Sequence, residues 1–211
     1  MDVQIDGERF FQRLARLKSH WLANKSGIYG GADALCVHMG VVDDLDAMVY
    51  SKASAAHLFL LGYEFPDSII LLTQNVFYFF ATSKKCSYLQ AAVDANKNDE
   101  IKVQYLNKSK DPTQNNENFG KLLGTIKQGG GSKIGILMKG EVAGSFITAW
   151  MESVENSKLT KIDISAALGL CLSIKDESEQ VFIIFLFLFL SNESTTHIVL
   201  ICRNPASEQL F

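Results

Sequence analysis

The sequence predicts an α/β fold, a layered domain in which helices flank a mixed β-sheet. Segments with helical spacing of apolar residues alternate along the chain with short continuous apolar runs, which are typical of buried strands. Glycine-rich or polar turns separate most of these segments. The chain has no repeat of fixed period, which argues against solenoid and propeller architectures.

The first helix is predicted from Asp6 to about Ala23. Asp6 is a suitable N-cap, and Glu8 in the first turn suits the helix dipole. A glycine-rich break follows, and the short apolar run 34–37 then predicts a buried strand. The apolar stripe of this helix consists of Phe10, Leu14, Leu17 and Trp21.

The next part of the chain is predicted to form a helix and a hairpin. Residues 51–61 have helical character, and Gly62 stands where a helix would end. The apolar runs 69–72 and 76–80 predict two strands, and Gln74-Asn75 between them predicts a hairpin connection.

The remaining elements continue the alternation. A helix is predicted over 83–96 and a strand over 101–106, followed by a surface loop over 107–118, which contains no apolar residue. A helix over 119–127 and a strand over 133–137 come next. A further helical stripe consists of Phe146, Ile147, Trp150, Met151 and Val154.

Composition excludes several classes of protein. The chain has 211 residues, of which 47% are hydrophobic, and only three are prolines, so a disordered tail and a collagen-like fibre are excluded. Twenty basic and 23 acidic residues give a formal charge of -3. That balance argues against a basic clamp on nucleic acid, because phosphate binding needs a concentrated Lys/Arg surface.

The cysteines do not form a metal-binding or redox motif. They stand at 36, 86, 171 and 202, without a Cys-x-x-Cys pair. Cys36 and Cys171 lie in apolar runs, where a thiol behaves as a small hydrophobe. The polar, acidic start of the sequence is unlike a signal peptide, which favours an intracellular, reducing compartment.

Motifs of catalysis and cofactor binding are missing from the sequence. The four histidines are scattered without the short spacings of a zinc site, so neither a metal nor another cofactor is predicted, and His38 is predicted to be a hydrogen-bonded structural residue. The Gly129–Lys133 segment is predicted to be a flexible turn, because it leads from a helix into a strand, the reverse of a phosphate loop. The acidic stretch 43–46 either gathers a cation or a basic peptide or is simply solvated.

The apolar run 181–190, VFIIFLFLFL, is the one anomaly of composition. It is too short to cross a bilayer, which needs about twenty apolar residues. As an exposed strand it would carry no charge to prevent aggregation. A second apolar run, 197–202, follows it.

The segment Leu60-Leu61-Gly62-Tyr63-Glu64-Phe65-Pro66-Asp67 is the most distinctive in the sequence. It resembles the Trp-Leu-x-Gly-Tyr-Glu-Phe-x-Asp signature near the start of the large subunits of the FACT histone chaperone. Phe59 stands where that family usually has Trp. Other similar stretches follow the family's order over roughly residues 8 to 180, namely Trp21, Asp33-Ala34-Leu35, Tyr50–Ser54, Lys133–Ile136, Trp150, Lys161–Ser165 and Lys175-Asp176.

The resemblance implies a fold and a function. The fold expected is the small N-terminal lobe of creatinase and aminopeptidase P, and the family uses it as a binding lobe without catalysis, so no catalytic residue and no cofactor are expected. The implied partners are core histones, nucleosomes and, through regions outside this sequence, the small HMG-box subunit of FACT. Neither membrane binding nor sequence-specific DNA binding is implied. The implied location is the nucleus, on chromosomes, in nucleosome reorganisation during transcription, replication and repair.

The resemblance also divides the chain into a lobe at 1–175 and a second region at 176–211. Relatives continue after about Gln180 with a charged amphipathic helix and a long second lobe, whereas this sequence enters the apolar run. We therefore expect 176–211 to be the start of a linking helix followed by an aberrant apolar tail. Translation into an unspliced intron or an error in the gene model would produce such a switch.

Tyr63, Glu64 and Asp67 are the candidate residues for a histone or peptide contact surface. An alternative is structural, with Glu64 and Asp67 capping or bridging backbone at a turn around Pro66. Two other identities remain open at this stage, the N-terminal lobe of a metal-dependent X-Pro aminopeptidase and a truncated product without function. In the first case the metal ligands would belong to a second lobe.

Overall fold

The structure, a computed structural model, describes residues 3–41, 51–96, 101–138, 144–175 and 177–190. Within these ranges the chain forms seven helices and six strands. The helices are α1 (Gly7–Ala23), α2 (Lys52–Leu61), α3 (Ser83–Ala95), α4 (Pro112–Gln128), α5 (Ser145–Asn156), α6 (Ser165–Ser173) and α7 (Glu177–Leu190). The strands are β1 (Ala34–Met39), β2 (Ser68–Leu72), β3 (Val76–Ala81), β4 (Lys102–Asn107), β5 (Lys133–Ile136) and β6 (Thr160–Asp163).

The strands form one mixed sheet in the order β4-β3-β2-β1-β5-β6. Strand β2 is antiparallel to both β1 and β3, whereas β3 with β4, β1 with β5 and β5 with β6 are parallel pairs. The predicted α/β class with a mixed sheet flanked by helices is confirmed. The hairpin predicted at Gln74-Asn75 is confirmed too, and the N–H of Thr73 there donates to the carbonyl oxygen of Val76 at 2.9 Å.

Each face of the sheet is covered by its own hydrophobic cluster. Helices α1, α2, α3 and α6 cover one face, and α4 and α5 cover the other. We call these the first and the second core cluster. The apolar stripe predicted for α1 lies in the first cluster, and Phe146, Ile147, Trp150 and Val154 of α5 lie in the second. Strand β1 is buried throughout, because it lies in the middle of the sheet between the two clusters.

Four expectations about local structure were wrong or incomplete. Helix α4 begins at Pro112, inside the predicted surface loop 107–118. It begins there because Asp111 caps it by accepting a hydrogen bond from the N–H of Thr113 at 2.9 Å, and proline suits the first helical position. Strand β6 and helix α6 were not assigned from the sequence. His38 is buried as expected, but within the described ranges no group forms a hydrogen bond with its Nδ1 atom.

The apolar run 181–190 is helical rather than extended. A helix satisfies its backbone hydrogen bonds internally, whereas a strand needs a neighbour in a sheet. The described apolar side chains of α7 are between 40% and 70% exposed, and they are Val181, Ile183, Ile184, Phe185, Leu186 and Phe187. The second apolar run, 197–202, and the acidic stretch 43–46 lie outside the described residues.

Two compact units can be distinguished, Met1–Leu172 and Ser173–Phe211. The sheet and both core clusters belong to the first unit, and α7 belongs to the second. Among the described helices none is long and apolar enough to cross a membrane.

Candidate functional site

The candidate residues Tyr63, Glu64 and Asp67 lie in the turn between α2 and β2, which we call the 62–67 turn. Because β2 is antiparallel to β1 and β3, this turn lies at the end of the sheet where those two strands finish. The strand register shows this position of the turn, because Met39 near the end of β1 pairs with Ser68 and Phe80 near the end of β3 pairs with Ile69. The three candidate residues therefore lie together at this end of the sheet.

Backbone geometry fixes the start of the 62–67 turn. Gly62 ends α2 in a left-handed conformation with φ of 74°, and its N–H donates to the carbonyl oxygen of Leu58 at 3.0 Å. A residue with a β-carbon is strained at such a φ, which explains glycine at this position. The prediction that a helix ends at Gly62 is confirmed.

A buried phenylalanine anchors the middle of the turn. Phe65 is 4% exposed and packs edge-to-face on Phe79 of β3, with 5.8 Å between the ring centroids. Its N–H donates to Nδ1 of His57 at 3.4 Å, and its carbonyl oxygen accepts from the hydroxyl of Ser68 at 2.6 Å. These contacts hold the backbone on both sides of Phe65, directly after Glu64.

His57, which supports the turn from α2, is completely buried. Burial lowers its pKa to about 3, and the neighbouring positive charge of Lys85 adds to the effect. The imidazole is therefore neutral at physiological pH, which leaves Nδ1 able to accept the Phe65 hydrogen bond. Its Nε2 atom has no hydrogen-bond partner among the residues that the structure describes.

Two lysines close the end of the turn. The Nζ of Lys108 forms an ion pair with the Asp67 carboxylate, and the Nζ of Lys85 donates to the carbonyl oxygen of Pro66. The Nζ of Lys108 also lies 4.7 Å from the centroid of the Phe146 ring. Burial lowers the pKa of Lys85, the carboxylate of Asp67 opposes that shift, and the charge of Lys108 adds to it.

Asp67 adopts a left-handed backbone with φ of 59°, and its N–H donates to the carbonyl oxygen of Gly40 at 3.2 Å. Its carboxylate is engaged by Lys108, so within the lobe Asp67 joins the turn to the end of β4. Sequence reasoning missed Lys85 and Lys108. Lys108 is 41 residues away in sequence, and only the meeting of the ends of β3 and β4 brings it to the turn.

The other two candidates face outward to different degrees. Tyr63 is 38% exposed, and its ring lies 6.4 Å from that of Phe65. Glu64 is half-buried, and none of the described residues forms a recorded hydrogen bond or ion pair with its carboxylate. An apolar ring beside an unengaged carboxylate suits contact with a basic or amphipathic polypeptide.

Histidine, cysteine and acidic side chains are the groups that could support metal binding or redox chemistry. Among the described residues, no three or more His, Cys, Asp or Glu side chains are grouped so that they could hold a metal ion. Cys36, Cys86 and Cys171 are buried and form no disulfide, which confirms that Cys36 and Cys171 act as small core residues. Cys202 lies outside the described residues.

Comparison with solved structures identifies the class of fold. The lobe aligns with the dipeptidase PepE of Mycobacterium ulcerans with a TM-score of 0.50 and 11% identity, over 83% of this chain and 40% of that one. This similarity shows a shared fold alone. The N-terminal domains of FACT complex subunit SPT16 from Eremothecium gossypii and Cicer arietinum superpose better, with TM-scores of 0.74 and 0.75. The Eremothecium gossypii domain is 30% identical, and the alignment covers 85% of this chain and 40% of that one. The Cicer arietinum domain is 24% identical, and the alignment covers 84% of this chain and 41% of that one.

The sequence comparisons identify the family. The family model of the FACT complex subunit SPT16 N-terminal lobe domain matches residues 5–167, so the chain belongs to that family. The FACT complex subunits SPT16 of Gibberella zeae and Dictyostelium discoideum are 33% and 30% identical over 84% and 85% of the chain. This chain spans about 17% of the length of each of these two relatives. The resemblance stated from the sequence is confirmed.

Proposed function

We propose that this chain is a non-catalytic binding lobe of a FACT complex subunit, which contacts histones through the 62–67 turn. The observation that carries the proposal is the exposed ring of Tyr63 beside the half-buried carboxylate of Glu64, on a backbone fixed by Phe65 and Gly62. The turn lies within the region matched by the family. A rigid aromatic side chain next to an acidic one is a suitable contact for a basic polypeptide.

The three candidate residues have different roles in this proposal. Tyr63 supplies apolar contact area, and Glu64 supplies the charge that pairs with a histone lysine or arginine. Asp67 lies at the margin of the contact, where its ion pair with Lys108 orders the turn. The net charge of -3 is too small to attract histones over a long range, so the lobe adds an accessory contact.

The wider role follows from the family. We propose that the protein acts in the nucleus, on chromosomes, where it reorganises nucleosomes during transcription, replication and repair. Core histones are its partners, and the HMG-box subunit joins through regions beyond the lobe. Within the chain we assign residues 1–175 to the lobe and 176–211 to a linking helix and apolar tail. The relatives are named as FACT complex subunits, which supports a binding role rather than peptide hydrolysis.

A titration with purified histones tests the proposal. Fluorescently labelled H3–H4 is titrated with the full chain at low salt, and Tyr63→Ala and Glu64→Gln are compared with the unmodified protein. Each substitution is expected to weaken binding by about 5- to 30-fold, as the loss of one well-placed contact does. Glu117→Gln on exposed α4 changes the net charge equally and serves as the matched control, with binding unchanged.

Two results would contradict the proposal. Histone binding that is undetectable at low salt would exclude the contact altogether. Equal weakening by Glu64→Gln and Glu117→Gln would show that net charge rather than the 62–67 turn determines binding.

A further inference from the structure

Strand β4 forms one open edge of the sheet. It has six residues and pairs with β3 on one side, and no described strand lies on its other side. An open edge presents backbone N–H and C=O groups without partners, which is the template for adding another strand.

The hydrogen bonds to β3 show which groups point outward. The N–H of Lys102 donates to the carbonyl oxygen of Asn75 at 3.1 Å, and that of Lys108 donates to Ala81 at 2.7 Å. The backbone N–H and C=O groups of the even-numbered residues of β4 therefore point towards β3. Those of the odd-numbered residues point away from it. The odd-numbered residues are Val103, Tyr105 and Asn107, and no recorded hydrogen bond of the described residues reaches their backbone groups.

The side chains beside this edge are largely apolar. Val103 and Tyr105 are half-buried against the first core cluster, and Leu106 is half-buried against the second. The Tyr105 hydroxyl is buried, and no described residue forms a hydrogen bond with it. An added strand would cover apolar surface on both faces of β4 while satisfying its backbone.

The opposite edge is protected. Strand β6 has only four residues, and the N–H groups of Thr160 and Ile164 donate to the carbonyl oxygens of Ser132 and Ile136, directly before β5 and at its end. Its outward positions are therefore Lys161 and Asp163, both charged. Natural edge strands usually avoid added strands by being short or by carrying charged residues. Strand β4 is longer, with six residues, and its outward positions carry no charged side chain.

We propose that β4 binds an extended segment of another protein, added antiparallel to β4, with apolar residues opposite Val103 and Tyr105 and an acidic residue opposite Lys102. Lys102 is exposed at the start of the strand, so the acidic residue lies near the carboxyl end of the segment. A second copy of β4 is the poorer occupant. The register that pairs all three outward residues would place Lys102 of each copy opposite Lys108 of the other, and like charges directly opposite destabilise a strand pair.

A short peptide tests this proposal independently of the histone contact. The probe is the blocked heptapeptide acetyl-Thr-Val-Thr-Val-Thr-Val-Glu-amide, titrated against the full chain up to about 1 mM, a range suited to a single added strand. In the free protein we expect the amide protons of Gln104 and Leu106, which point at β3, to exchange slowly and those of Val103, Tyr105 and Asn107 to exchange fast. Saturating peptide is expected to slow exchange of the three outward amides at least about tenfold and to leave the other two unchanged.

Matched peptides control for side-chain effects without altering the protein. Methylation of the backbone nitrogen of the central valine removes a donor that points at β4, and it is expected to weaken binding at least about tenfold. The same methylation at the second of the three threonines alters a backbone donor that points away from β4. The affinity is then expected to stay within about threefold of that of the unmodified peptide. Replacing the terminal Glu of the probe by Lys is expected to weaken binding.

Several results would overturn the proposal. Unchanged exchange of the outward amides at the highest peptide concentration would exclude strand addition at β4. Equal loss of affinity for the two methylated peptides would show that binding does not use the edge. Sedimentation showing a dimer that the peptide cannot dissociate, with the outward amides already protected, would identify a second copy as the occupant.

Discussion

Arg13 of α1 donates a hydrogen bond to the carbonyl oxygen of Phe59 of α2 at 2.7 Å, and its Cζ lies 4.9 Å from the centroid of the Phe59 ring. Arg13 is only 7% exposed, and this backbone acceptor and aromatic face are among the groups that stabilise its charge. Cζ of Arg16 lies 5.5 Å from the centroid of the same ring. Position 59 therefore joins α1 to α2, directly before the 62–67 turn.

Replacement of Phe59 by the tryptophan usual in the family should be tolerated. Phe59 lines an apolar cavity of about 10 Å³ together with residues such as Leu17 and Leu168. A larger ring adds volume on that side and gives the arginines a stronger aromatic face. We expect Phe59→Trp to change the free energy of unfolding by less than about 1.5 kcal/mol, measured by urea denaturation.

Phe59→Ala is the reference for this comparison. It should lose about 3–5 kcal/mol, because it leaves a large cavity and removes the face beneath two arginines. A loss of that size with Phe59→Trp would show that the space beside Phe59 is not available to a larger ring.

Asp33 should contribute measurably to stability, because it joins β1 to the turn before β5. Its carboxylate accepts hydrogen bonds from the N–H groups of Ser132 and Lys133 at 2.9 and 3.1 Å and pairs with Lys25 at 2.9 Å. Burial raises its pKa, but the contacts with Lys25, Ser132 and Lys133 outweigh that effect and hold the pKa below its ordinary value. We expect Asp33→Ala to cost about 1–3 kcal/mol of unfolding free energy.

The matched control is Asp94→Ala, which removes an exposed carboxylate from α3. That substitution should change the free energy of unfolding by less than about 0.5 kcal/mol. Equal effects of the two substitutions would mean that the charge of Asp33, rather than its hydrogen bonds, is what matters.

His57 predicts acid sensitivity of the lobe. Its pKa is lowered to about 3 by burial and by Lys85, whereas an unfolded histidine titrates near 6.5. Between these values the unfolded state binds the proton and the folded state does not, so stability falls as pH is lowered from about 6.5 towards 3. His57→Gln should reduce the slope of unfolding free energy against pH in this window.

At pH about 8 His57 is neutral in both the folded and the unfolded state. The free energy of unfolding measured there therefore shows the effect of the substitution on packing alone. A slope between pH 7 and 5 that is identical in His57→Gln and the unmodified protein would contradict the prediction.

The left-handed backbone at Asp67 predicts a difference between two substitutions that remove the same charge. Asp67→Asn and Asp67→Val both lose the ion pair with Lys108, but asparagine adopts φ of 59° readily and valine does not. The valine variant should therefore be less stable by about 1–2 kcal/mol in thermal or urea unfolding. Equal stability of the two variants would show that the turn relaxes to another conformation.

Local sequence patterns predicted the parts of the fold that depend on local chemistry. The spacing of Phe10, Leu14 and Trp21 predicted α1, and the continuous apolar runs predicted the buried strands, because burial on both faces of a strand demands apolar residues throughout. Helix α4 was predicted too short, since its first turn is stabilised by Asp111 and Pro112 rather than by apolar burial. Strand β6 was missed because four residues with a charged outward face carry no strand pattern.

The sequence predicted where the candidate site lies in the chain, but it did not predict which residues contact it. The family signature drew attention to Tyr63, Glu64 and Asp67, and Gly62 predicted the end of the helix before them. The partners of the turn come from elsewhere in the chain, namely Gly40, Lys85 and Lys108, and sheet topology alone brings them there. Such long-range contacts leave no periodic signal in a single sequence.

A site-specific photo-cross-link tests the central claim most directly. The full chain is made with benzoylphenylalanine in place of Tyr63, mixed with H3–H4 at low salt and irradiated, and cross-linked species are counted by mass spectrometry. The matched control carries the same residue in place of Leu22, which is 40% exposed at the end of α1. The account predicts histone cross-links from position 63 and not from position 22, whereas equal yields from both positions, or none from position 63, would contradict it.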